Sequence, residues 1–106
     1  MASVVLMERT QELLYETLSA DQDLDTKVRH LIEGEYLRQL ARYRRVDMTL
    51  VQKYGMTFDD FVARHVTREI GYTWQVEQDA MDWETAVGGV ATVERKLREL
   101  REIAGE

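Results

Sequence analysis

The chain has no cysteine and no proline, and only six glycines in 106 residues. Without cysteine there is no disulfide framework, no thiolate nucleophile and no zinc site of the usual Cys-containing kinds. That absence fits the reducing cytoplasm. Without proline, a fold built from many tight turns is not expected. Long apolar runs are missing as well. Val4-Val5-Leu6-Met7 is closed by Glu8, too short for the core of a signal peptide. No segment approaches the roughly 20 apolar residues of a membrane span. A soluble cytoplasmic protein is expected.

The loops that carry familiar chemistries are missing too. There is no Gly-x-Gly-x-x-Gly, no Walker-type Gly/Lys loop and no Gly-x-Ser-x-Gly. Gly88-Gly89 lacks the Lys and the Ser/Thr that phosphate binding needs. A bundle-type di-iron centre needs Glu-x-x-His on two helices, yet Lys27 precedes His30 by three positions and Val62 precedes His65 by three. His30 with Glu33, and His65 with Glu69, have the helical spacing of a proton-sharing pair. Neither has further partners in the sequence, so ordinary surface or half-buried histidines are expected. No catalytic residue, metal or cofactor is assigned.

What is present favours helix. Glu, Arg, Leu, Ala and Gln are abundant, and straight-chain residues lose little rotamer freedom in a helix. At 106 residues the chain is one small domain, 1–106, with a modest core. Residues 4–19 carry Leu6, Leu13, Leu14 and Leu18 at amphipathic spacing. Residues 19–25 are polar and acidic and read as a loop, with Asp23 or Asp25 able to cap the next helix. From Thr26 to Tyr54 an apolar stripe runs through Val28, Ile32, Tyr36, Leu40, Tyr43, Leu50 and Tyr54.

At about 1.5 Å per residue that helix spans on the order of 40 Å. A kink near Val46-Asp47-Met48 or a second subunit along its length is expected. Gly55 then suits a left-handed helix stop, and Thr57, with Asp60 three positions on, suits a helix start in the manner of a capping box. A third helix is expected from Phe58 to Ile70, closed by Gly71. Tyr72–Val76 reads as a connector or first turn. A last helix is expected from Glu77 to about Ala104, with Gly88-Gly89 marking a kink, a break or a close approach of another backbone. The architecture predicted is all-α: a small helical bundle or long helical hairpin of three to four helices, dimeric.

Charge is unevenly spread over a net −6. Residues 1–26 hold one Arg against six acids, residues 27–54 seven bases against three acids, and residues 77–106 four bases against eight acids. In the basic stretch, Arg38, Arg42 and Arg45 recur at helical spacing with Tyr43 and Arg44 beside them. Such a face can bind a phosphate backbone, or simply pair with acids on the terminal helices. The overall acidity favours the second reading. In the last helix, Glu77, Asp79, Asp82 and Glu84 surround Trp83 with no base among them. This is either an acidic first turn over a core tryptophan or an aromatic anchor with a charged rim. The rim would suit a basic partner such as a nuclease, and Phe61 of the third helix belongs to the same candidate surface.

Two segments carry a family resemblance. Lys53-Tyr54-Gly55-Met56-Thr57-Phe58-Asp59-Asp60-Phe61 and Val76-Glu77-Gln78-Asp79-Ala80-Met81-Asp82-Trp83-Glu84, behind an Arg-rich helix, resemble small helical antitoxin components of bacterial and archaeal two-gene toxin–antitoxin modules. The resemblance spans Leu37 to Glu84. It implies a non-enzymatic protein that binds and silences a cognate toxin, often an RNase. Many antitoxins carry a separate DNA-binding domain, and no ribbon-helix-helix or helix-turn-helix signature is found here.

Overall fold

A computed structural model describes residues 5–18, 22–71, 73–103 and 105. Among them are five helices and no strand: α1 (Glu8–Thr17), α2 (Leu24–Tyr54), α3 (Phe58–Ala63), α4 (Val66–Ile70) and α5 (Trp74–Ile103). The all-α expectation holds, with five helices where three to four were expected. The backbone is drawn out to 58 × 29 × 28 Å, with a radius of gyration of 19.8 Å. A compact chain of this length would have about 13 Å.

The frame is a hairpin of two long antiparallel helices, α2 and α5, joined by α3 and α4 at one end. α2 opens where Asp23 accepts the Thr26 N–H at 2.8 Å, so Asp23 is the cap and the helix begins at Leu24. It then runs unbroken through Val46-Asp47-Met48 to Tyr54. The expected kink is absent, and α5 of the same chain covers the length of α2. Helix length alone therefore does not require a second subunit. The stop at Gly55 has φ +67°, and its N–H bonds the Val51 carbonyl at 2.7 Å. Thr57 then accepts the Asp60 N–H at 3.2 Å and starts α3. The corner is made by the residues that the sequence designates.

The single helix expected from Phe58 to Ile70 is two helices, broken at Arg64-His65, where His65 adopts φ +51°. The physical reason lies in the spacing. Phe61 and Val66 are five residues apart, so on one straight helix they would point about 140° apart. Both are buried, and the break turns both inward. Gly71 closes α4 in the left-handed region as expected. α5 starts three residues before Glu77: the Val76 N–H reaches Thr73 Oγ1 at 3.3 Å, and Trp74 to Val76 form its first turn. Within the loop expected at residues 19–25, Ser19 to Asp21 lie outside the described residues, as do Val4, Tyr72 and Ala104.

α5 passes Gly88-Gly89 without interruption. None of the three roles expected for that pair is observed: no other backbone comes close, and it is a side chain that packs tightly against Gly89. A Cβ on Gly89 would lie 2.6 Å from the Tyr43 ring of α2, whereas one on Gly88 would meet nothing within 4 Å. Gly88→Ala is therefore expected to stabilise by about 0.5–1 kcal/mol through helix propensity. Gly89→Ala should destabilise by about 1–3 kcal/mol through overpacking. Thermal melts of the two variants check this, and a rise in both would refute the close approach.

Two buried clusters hold the hairpin. Leu50, Phe61, Val66, Val76 and Trp83 form the larger, at the corner. Leu40, Val93 and Leu97 form the smaller, midway along, flanked by Tyr36, Tyr43 and Val90. At the far end α1 lies over α2. There Lys27 is fully buried, its Nζ 3.6 Å from the centre of the Tyr15 ring and without a hydrogen-bond acceptor. A buried ammonium held only by a ring face offsets much of what the burial of Leu14 contributes, so α1 is the least firmly held element described.

Candidate functional site

The corner cluster is built around Trp83. Its ring centre lies 5.0 Å from Phe61, 5.5 Å from Phe58 and 5.8 Å from Tyr54, and Tyr54 meets Phe61 edge-on at 5.0 Å. The indole Nε1–H donates to Asp47 Oδ1 of α2 at 2.7 Å. Trp83 is 0% exposed and Phe61 is buried with it. Neither can serve as an exposed anchor, because the rings fill the space where α3 and α4 close the hairpin. The core role weighed for Trp83 is the one observed.

Asp79 leaves the candidate surface for a similar reason. It is buried, and it accepts hydrogen bonds from Lys53 Nζ, from the Tyr54 hydroxyl at 2.7 Å and from Gln75 at 2.9 Å. Burial pushes its carboxyl upward, but the hydrogen bonds from Lys53, Tyr54 and Gln75 outweigh it and hold it below the ordinary carboxylate value. Burial, then the hydrogen bond to Asp79, pushes the Tyr54 phenol up to about 12. This group ties α5 to the end of α2.

The remaining acids stay outside. Glu77, Asp82 and Glu84 are exposed, and among the described residues no Lys or Arg pairs with them. Asp82 accepts only from Gln78, at 2.9 Å. The apolar groups that accompany them on the surface are not those the sequence pattern suggests. Trp74 is 75% exposed and Met81 63% exposed, seven residues apart on the side of α5 turned away from α2, and Val62 of α3 is 53% exposed. The signal available for them was their position off the buried stripe of each helix. Val62, Val66, Ala80, Met81 and Glu84 line a groove of about 270 Å³ between α3–α4 and α5, floored by Phe61.

The arginines divide. Arg44 turns to α5 and pairs with Glu94 at 2.8 Å. Arg38, Arg42 and Arg45 share an exposed side of α2, where Glu35 bridges Arg38 at 3.0 Å and Arg42 at 3.7 Å, while Arg45 also lines a pocket with Asp79 and Asp82 of α5. This brings three of the four predicted cations onto one face.

The histidines do not join any constellation. The His65 carbonyl accepts the N–H groups of Arg68 and Glu69 at 3.0 and 3.1 Å, while its ring makes no bond to the Glu69 side chain. His30 stands at the far end in a polar groove with Arg29, Glu33 and Arg101. Among the described residues no group of three or more His, Cys, Asp or Glu gathers in a manner able to hold a metal ion. No described helix is long and apolar enough to cross a membrane.

Together these features define an elongated all-α hairpin with acidic and apolar surface beside its closed end. No family model matches the chain, and no curated protein and no solved structure does either.

Proposed function

We propose that the chain is a cytoplasmic, non-enzymatic protein-interaction module of antitoxin type, which binds and neutralises a cognate basic toxin, a nuclease acting on RNA. The observation that carries this reading is the set of large apolar side chains standing in solvent on helical faces rimmed by charge. They include Trp74, Met81 and Val62 near the corner and Leu31, Leu37 and Ile103 along the shaft. Where such groups recur on one helical face, as Trp74 and Met81 do on α5 and Leu24, Val28 and Leu31 on α2, they mark a protein contact site. The resemblance of residues 37–84 to antitoxin components supports the same class.

The decisive experiment is co-expression with the product of the adjacent gene. Rescue of growth and co-purification of the two chains are expected. A neighbour that is not growth-inhibiting, or an inhibited culture that this chain fails to rescue, would count against the reading.

Self-association belongs to the same proposal. Leu24, Val28 and Leu31 recur at helical spacing on α2 and are each more than a third exposed, Leu31 by 48%. Covering that stripe with a second copy would shorten the exposed shaft of a very elongated molecule. Light scattering should give a dimer that Leu31→Glu converts to a monomer of unchanged helicity. A monomeric wild-type chain would end the dimer proposal.

One observation favours a second reading. Arg38, Arg42 and Arg45 share one exposed face, as phosphate contacts along a duplex would require. Glu35 between two of them, and the net charge of −6, weigh against it. DNA binding that falls steeply with salt and is lost on Arg38→Ala with Arg42→Ala would favour a regulator instead.

A further inference from the structure

The groove beside α5 has a chemistry that selects its occupant. Its walls are apolar, with Val62 and Met81 more than half exposed at the lip and Phe61 beneath. Trp74 stands two turns up the same face of α5 as Met81, beyond the groove and separated from it by Glu77 and Gln78. The charge around it has one sign over a long stretch. From Glu69 to Glu94 the sequence contains no Lys or Arg. Two acids of that stretch are neutralised within the chain, Asp79 by Lys53 and Glu94 by Arg44. Glu77 and Glu84 are exposed and unpaired, and Glu84 lines the groove, whereas Asp82 lines a separate pocket with Arg45 and Val46 of α2. On the α4 side the groove also meets His65 and Arg68, and Arg68 is already engaged within the chain.

We propose that this groove seats an amphipathic helix of the toxin, apolar along the side that meets Val62, Met81 and Trp74 and flanked by Lys or Arg facing Glu77 and Glu84. The inference rests on the antitoxin reading and adds the surface, the chemistry of the partner and a mode of action. A helix laid in an apolar groove takes its affinity from a few anchors at three- and four-residue spacing. A tryptophan such as Trp74 carries a large share of such binding once the partner covers it. The free carboxylates steer a cationic partner and fix its register. An RNase holds its substrate through cations on phosphates. Carboxylates that occupy those cations exclude the RNA, so neutralisation follows from occupancy without any change of shape in the toxin.

The test uses the full chain and the purified adjacent-gene product, with affinity measured by calorimetry at low and at moderate salt. Val62→Asp combined with Met81→Asp replaces exposed groups and should leave the melting temperature nearly unchanged while weakening the complex at least 30-fold. Glu77→Lys combined with Glu84→Lys should weaken it at least tenfold and flatten its salt dependence. Thr10→Glu, on exposed α1 at the other end of the molecule, should alter neither value.

A complex whose affinity stays within twofold in both paired variants would overturn the groove as the seat, leaving the antitoxin reading in place. A homodimer dissociated by Val62→Asp with Met81→Asp would make the occupant a second copy and overturn the proposal equally. If the adjacent product forms no complex with the wild-type chain, the antitoxin reading fails and this proposal falls with it.

Discussion

Trp83→Ala is expected to lower stability by about 3–5 kcal/mol, the range for removing a large aromatic side chain from a core. Trp83 has no exposed surface, and three other rings pack against it within 6 Å. Deleting it empties the junction of α2, α3, α4 and α5 together, and short helices such as α3 and α4 cannot collapse into the void without losing their own contacts. Domains of this size have only about 5–15 kcal/mol in hand, and each 1 kcal/mol moves the melting temperature by roughly 4–8 °C. A drop of more than about 12 °C by circular dichroism is therefore expected. Trp83→Phe keeps most ring contacts and loses the bond to Asp47. Because Asp47 is only partly buried, water can replace the indole, and the loss should be about 1–2 kcal/mol. An alanine variant that melts within a few degrees of wild type would refute this account of the core.

Asp79→Ala should also be damaging, by about 2–3 kcal/mol. It strands the half-buried Tyr54 hydroxyl without its acceptor, whereas the exposed Gln75 turns to water. Lys53 is nearly half exposed and regains water, which keeps the loss below that of a fully buried ion pair. The pH dependence follows from two opposite shifts. The Asp79 carboxyl is held below its ordinary value in the folded state. The unfolded chain therefore binds the proton first, and this contribution is complete above the usual carboxylate range near pH 4 and lost as pH falls through it. Tyr54 is raised to about 12, so its contribution is complete below about pH 10 and lost as pH rises from there to about 12. Urea midpoints measured across pH should show both limbs. Asp79→Asn should remove the acid limb's share from this group and shrink the alkaline one. Parallel wild-type and Asp79→Asn profiles would show that the network contributes nothing.

Local chemistry was readable wherever one residue decides the outcome. Gly55 is a stop because only a residue without Cβ enters the left-handed region freely, and Thr57 is a start because its oxygen reaches an open N–H of the next turn. Asp23 caps α2 for the same reason. The antiparallel pairing of two long helices follows from their apolar stripes and the short corner between them. The split at His65 was not readable, since Phe61 and Val66 each fit a helical pattern and only the shape of the pocket around Trp83 demands both. Thr73 was passed over as the cap of α5 because the acids from Glu77 onward are the stronger helix-start signal. The candidate site fared similarly. Its acids were found, but only three of the four, Glu77, Asp82 and Glu84, stay in solvent, while Asp79 is drawn inside by Lys53 and Tyr54.

What the sequence by itself determined is the inventory: an all-helical chain, its corner at Gly55–Thr57, its basic middle and its acidic, base-free stretch. These depend on contacts within four residues or on composition, and neither needs a fold to act. Only the tertiary structure decided which aromatic faces inward. Trp83 and Trp74 lie on the same helix, and the choice between them was made by the rings of Tyr54, Phe58 and Phe61 and by Val66 of α4, which close over one side of α5 and leave the other to solvent.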